Sequence, residues 1–232
     1  MVWVKICGIT NVEDAKYISD LGVDALGFVF FAPSPRSVEV NKAQEIISSL
    51  KFREGISIAG VFVNEKIERV VDIAEKLSLD YIQLSGDEDI CYLSEIRMLI
   101  SKEITPKGGK KIIKSIRVGE EEDFWQFPHL LWKRLDELSG VVDYFLLDSF
   151  EQNMYGGTGK SFRWEIAENL GKKYPIILSG GLDFQNVLRA IRMVRPYGVD
   201  ASSKLEISPG KKDWEKVKKF VEAARKRREG KV

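Results

Sequence analysis

Short apolar runs alternate with amphipathic helical stretches eight times along this chain, and no other feature restricts its fold as strongly. The strand-like runs are Val2–Ile6, Asp24–Phe30, Ile56–Val63, Tyr81–Leu84, Lys111–Arg117, Asp143–Leu147, Pro175–Leu178 and Gly198–Ala201. Several are continuously apolar, as a strand covered on both faces requires. Between them the spacing predicts helices over Val12–Leu21 (capped by Thr10 or Asn11), Lys42–Leu50, Ile67–Leu77, about Asp89–Ile100, Trp164–Leu170, Phe184–Val194 and Trp214–Arg228. Residues 119–139 form a longer Trp-containing amphipathic segment, and Asp148–Ser161 reads as a loop. Eight such units in 232 residues, without a long linker, predict one domain over 1–232. Its fold class is α/β, a closed (β/α)8 barrel of the TIM type, with an open doubly wound sheet as the alternative.

Composition removes several function classes. The formal net charge is +1, so no global field attracts nucleic acid or an acidic membrane. The basic stretch Arg225–Arg228 reads as the solvated end of the last helix, where cations suit the helix dipole. The longest apolar stretch, Ala25–Ala32, is far too short to span a bilayer, and the start lacks a signal-peptide pattern, so the expected site is the cytoplasm. Cys7 and Cys91 are expected as free thiols. His129 is the sole histidine, which leaves little scope for a His triad or a multi-His metal site. No metal and no cofactor are expected. The oligomeric state is left open as monomer or homodimer.

A barrel of this type carries its chemistry where the strands end at their C-terminal side. The residues there are Lys5, Cys7 and Gly8 after the first strand, Arg36 after the second, Asn64 after the third and Gln83 to Gly86 at the fourth. Asp148 follows the sixth, Gly180 and Gly181 the seventh, and Ser202, Ser203 and Lys204 the eighth. A glycine pair after the seventh strand suits a phosphate held by backbone amides, although it also suits an ordinary turn. Cys7 is either inert filler or a base, with Lys5 on the same pleat face expected to lower its pKa. Asp148 is either a helix cap or a proton donor raised by desolvation. A thiol base and a carboxyl acid across one barrel mouth suit an isomerisation by proton transfer. The segment Tyr155–Ser161 nearly matches a Walker A loop, but Met154 stands where that motif needs glycine, and a mobile lid fits better.

The motifs Lys5-Ile-Cys-Gly-Ile-Thr10, Leu26–Phe30 with Ser34-Pro-Arg36, Gly60–Val63, Gln83-Leu with Gly86, Leu147-Asp148 with Gly156–Gly159, Leu178–Leu182, and Gly198-Val-Asp with Ser202, Ser203 and Glu206 occur in order along the chain. In these the sequence resembles the phosphoribosylanthranilate isomerase family of tryptophan biosynthesis. The resemblance implies an Amadori rearrangement of N-(5-phosphoribosyl)anthranilate to 1-(2-carboxyphenylamino)-1-deoxyribulose 5-phosphate. It implies Asp148 as general acid at the ring oxygen and Cys7 as general base at C2. Arg36 would hold the anthranilate carboxylate. Lys5, Gln83, Gly156, Gly157, Gly180, Gly181, Ser202 and Ser203 would line the substrate site, the phosphate resting on the last three loops. The sequence departs from the family at Ser85, where His is usual, and at Lys204, where Gly is usual. Another phosphosugar barrel, either an epimerase or a non-catalytic binder of phosphate ligands, is the alternative reading.

Overall fold

A computed structural model describes residues 1–50, 55–101, 109–118, 128–149 and 159–226. Eight parallel strands close on themselves in sequence order: β1 (Trp3–Cys7), β2 (Ala25–Val29), β3 (Ser57–Phe62), β4 (Tyr81–Leu84), β5 (Lys111–Val118), β6 (Tyr144–Ser149), β7 (Ile176–Ser179) and β8 (Gly198–Ala201). Helices α1 (Val12–Asp20), α2 (Val40–Ser48), α3 (Ile67–Lys76), α4 (Ile90–Ile100), α5 (Pro128–Leu138), α6 (Gly159–Gly171), α7 (Val187–Val194) and α8 (Trp214–Arg225) follow the strands. The architecture is therefore a (β/α)8 TIM barrel. The outward faces of the strands and the apolar stripes of the helices form one large core, with Ile6, Phe28, Phe62, Ile112 and Phe145 among its fully or nearly fully buried members.

The interior of the barrel is packed in layers. Trp3, Tyr81, Tyr144 and Tyr197 interlock at the N-terminal end, with neighbouring ring centroids 4.5 to 6.2 Å apart. Burial pushes the Tyr81 phenol up to about 12. Above these rings lie Ile113, Leu146 and Ile177, and at the C-terminal end Cys7 packs with Val29 and Val61. The floor is thus largely aromatic, and Lys5, Cys7 and Asp200 lie above it toward the C-terminal end of the strands.

Below the floor three aspartates tie strands together in pairs. Asp24, Asp80 and Asp143 each precede an even-numbered strand. Their carboxylates accept from the amides of Val4 (2.6 Å), Ile58 (2.7 Å) and Ile112 (2.7 Å) on the preceding odd-numbered strand. Each aspartate's own amide donates back to the carbonyl of the same residue at 2.9 Å.

Some element ends differ from expectation. Helix α7 starts at Val187 rather than Phe184, because Asp183 Oδ1 accepts from the amides of Gln185 and Asn186 and folds that stretch into a turn. Helix α6 begins at Gly159, so Gly159–Ser161 belong to a helix and not to a loop, while Asp148 and Ser149 belong to β6. The segment expected over 119–139 contains α5 from Pro128; 119–127 lie outside the described residues. After β8 a 3-10 turn (Ser203–Leu205) leads into an antiparallel pair, β9 (Glu206–Ser208) and β10 (Lys211–Lys212), which the sequence pattern did not announce.

Candidate active site

Alternation along β1 sends Lys5 and Cys7 into the barrel on one pleat face. Lys5 is fully buried, its ammonium 3.0 Å from Asp200 Oδ1 on β8. Cys7 sits one layer higher at 7% exposure, opposite Gly27 of β2. A Cβ built on Gly27 would lie 2.8 Å from Cys7 Sγ and 3.0 Å from Lys5 Cε, so only a bare backbone there leaves the thiol its place. Asp148 is the fifth residue of β6, paired with Ser179 of β7, and half-buried. It stands two residues beyond the inward-facing Leu146 and so faces the same interior. Strands β7 and β8 separate it from β1 around the barrel.

The thiol's electrostatics correct one expectation. Burial pushes Cys7 up, Lys5 and Lys212 pull it down, Asp200 pushes it up, and the balance lies above its ordinary 9.0. The cation is where the sequence suggested, but desolvation outweighs it. Burial pulls Lys5 down, yet Asp200 and Cys7 together raise it above 10.5. Being wholly buried, Lys5 touches Asp200 and the thiol rather than the open mouth.

Arg36 arrives from the loop after β2 and lies across Gly8, where an added Cβ would meet Arg36 Cδ at 2.8 Å and Ser202 Oγ at 3.0 Å. Its Nε donates to Glu206 Oε1 (2.9 Å) and Oε2 (3.0 Å), and Nη2 donates to Oε2 at 2.7 Å. The Nε/Nη2 edge is thereby fixed. The Nη1/Nη2 edge is the one that remains to meet a second planar anion. Glu206 also accepts from Lys212 Nζ at 2.8 Å. Burial pushes this carboxyl up, but Arg36 and Lys212 outweigh it and hold it below 4.5.

Gln83 points inward from β4 at 5% exposure. Its Nε2 donates to Ser85 Oγ at 3.2 Å, and its Oε1 is buried without a partner among the described residues. An orphaned buried acceptor at a barrel mouth is the kind of atom a bound donor would satisfy. Gly180 and Gly181 follow β7 with φ of 82° and 65°, both in the left-handed region that glycine adopts without a Cβ clash. Ser202 Oγ donates to the Cys7 carbonyl at 3.0 Å, which joins the last loop to the end of β1. Ser203 opens the 3-10 turn with its side chain exposed. Lys204 is also exposed and is not among the residues with positive φ, so lysine is accommodated there without strain. Gly156 and Gly157 lie outside the described residues. Cys7, Arg36, Ser202 and Glu206 thus meet at one side of the mouth. Sequence reasoning missed Lys212 and gave Asp200 no role, because their importance rests on contacts across the barrel rather than on local spacing.

A family model described as N-(5'phosphoribosyl)anthranilate (PRA) isomerase matches residues 4–223. The N-(5'-phosphoribosyl)anthranilate isomerase of Rubrobacter xylanophilus is 43% identical over 228 residues, covering 97% of this chain and all of its own. The crystal structure of phosphoribosyl anthranilate isomerase from Thermotoga maritima superposes with a TM-score of 0.79 at 37% identity, covering 97% of this chain and 98% of that one. A phosphoribosyl anthranilate isomerase in complex with reduced 1-(o-carboxyphenylamino)-1-deoxyribulose 5-phosphate gives 0.77 at 34% identity, with the same coverage.

Proposed function

The chain belongs to the phosphoribosylanthranilate isomerase family, an isomerase of tryptophan biosynthesis, and from that premise we propose which residues carry its reaction. Asp148 delivers a proton to the furanose ring oxygen of N-(5'-phosphoribosyl)anthranilate, and the C1–O bond breaks to leave a protonated Schiff base. The Cys7 thiolate removes the proton from C2. The electron pair moves into the imine, which is the electron sink, and gives an enolamine. Tautomerisation then yields the ketone of 1-(2-carboxyphenylamino)-1-deoxyribulose 5-phosphate. The two groups work from separate strands on the two sides of the bound sugar.

Binding follows the same division. Arg36 takes the anthranilate carboxylate on its Nη1/Nη2 edge. The amides around Gly180–Gly181 and Ser202–Ser203, together with Gly156 and Gly157, receive the phosphate. Gln83 Oε1 accepts from a donor of the substrate. Lys5 steadies the thiolate. The observation that carries this reading is the meeting of a buried thiol and a half-fixed guanidinium at the end of β1, with a carboxyl three strands away.

The test is loss of anthranilate fluorescence when N-(5'-phosphoribosyl)anthranilate is generated in situ. Cys7→Ala and Asp148→Asn should each lower kcat by about 10²-fold or more, the usual worth of a positioned acid or base. Both should still bind the reduced product analogue. Near-full kcat in either variant, with chemistry rate-limiting, removes that residue from its role.

A further inference from the structure

Lys212 is the least expected charge in the molecule. It lies on β10, paired in register with Glu206 of β9, and its side chain is 0% exposed. The Lys212 backbone amide donates to Asp14 Oδ2 at 2.9 Å, an anchor to α1 that does not involve the ammonium. An apolar side chain would fill the same space without the cost of stripping water from a cation. The ammonium instead meets Glu206 Oε1 at 2.8 Å, with the Ser202 carbonyl at 3.4 Å and hydroxyl at 3.5 Å. Glu206 therefore carries two cations, Lys212 behind it and Arg36 in front.

The charge count decides what this arrangement does. Arg36 and Glu206 alone form a neutral pair, and a carboxylate approaching the Nη1/Nη2 edge would meet the guanidinium and its counter-ion together. With Lys212 added, the trio carries one net positive charge, in a region partly shielded from water where such charges act strongly. We propose that Lys212 is a positioning and specificity-determining residue. Its buried charge offsets Glu206, so that Glu206 can lock Arg36 in place without cancelling the attraction for one carboxylate on the ligand's aromatic ring. This inference rests on the placement of the anthranilate carboxylate at Arg36 given above.

The experiment uses the full-length enzyme, its Lys212→Met and Lys212→Arg variants, and the double variant Glu206→Gln/Lys212→Met. Two ligands are titrated calorimetrically: reduced 1-(o-carboxyphenylamino)-1-deoxyribulose 5-phosphate and the same compound lacking the carboxyl group. Lys212→Met should weaken the carboxylated ligand by roughly tenfold, equal to about 1.4 kcal/mol, and raise KM more than it lowers kcat. The carboxyl-free ligand should lose no more than about twofold. Lys212→Arg should retain the preference. The double variant, again with one net positive charge, should regain most of it, which a purely structural lysine would not allow. If Lys212→Met does not fold, the charge-balanced double variant carries the test. Equal loss of both ligands, no loss of either, or no recovery in the double variant overturns the proposal. A wild-type enzyme that binds the ligands but does not isomerise substrate would refute the assigned reaction and leave this inference standing.

Discussion

Gly27→Ala adds one methyl group to the barrel wall and should displace the Cys7 thiol, the proposed base, without altering its chemistry. The new Cβ would sit 2.8 Å from Cys7 Sγ, 3.0 Å from Lys5 Cε and 3.1 Å from Cys7 Cα. Ordinary contact begins at 3.4 Å, so the sulfur must retreat by about 0.6 Å. The surroundings offer no easy retreat. Lys5 is held by Asp200 at 3.0 Å, and the β1 backbone is laddered to β2 and β8 on both sides. The remaining freedom is rotation of the thiol away from the mouth, or a small shift of the whole strand. Misplacing a catalytic group by about 1 Å costs on the order of 10²-fold, so 0.6 Å should lower kcat by about tenfold or more. Overpacking should also cost about 1–3 kcal/mol of stability. The fluorescence assay measures the first effect and the urea midpoint, at unchanged slope, the second. A variant with kcat within about twofold of wild type would show that the contact at Gly27 does not set the thiol's position.

Arg36→Met should raise KM more than it lowers kcat, because the guanidinium holds a group that does not react; an unchanged KM removes Arg36 from the carboxylate site. In a Cys91→Ser background, alkylation of Cys7 by iodoacetamide should accelerate as pH rises and show no plateau before pH 9.0. Burial raises the thiol above that value, and the reactive thiolate fraction keeps growing until the pH passes the pKa; a plateau below about pH 8 refutes this. Asp80→Ala strips the Ile58 amide of its acceptor and should cost about 1–3 kcal/mol in a urea titration while kcat stays unchanged, since the clamp lies at the far end of the barrel. A shift in kcat without loss of stability would contradict it.

The strands were readable because a parallel strand buried on both faces is written as one apolar run, and Ala25–Val29 and Tyr144–Leu147 show this plainly. Helix ends were less readable where side chains compete for backbone amides, as Asp183 does before α7. Among the candidate site residues, Cys7, Arg36 and Asp148 could be proposed from their positions at or just past strand ends. The direction of the Cys7 shift could not. It depends on how deeply Gly27 and Val61 enclose the sulfur, and on Asp200 nearly two hundred residues away. Lys212 escaped for a related reason. A two-residue strand leaves no periodicity, and a lysine in the run Lys211-Lys212-Asp213 looks like solvated surface until its partner is known.

The interlocked rings of Trp3, Tyr81, Tyr144 and Tyr197 join β1, β4, β6 and the turn before β8 at one end of the barrel. Aromatic pairs of this kind contribute about 0.5–1.5 kcal/mol each beyond the area they bury. Cohesion is thereby concentrated at the end remote from Cys7, so the loops at the opposite end can vary in sequence without loosening the barrel.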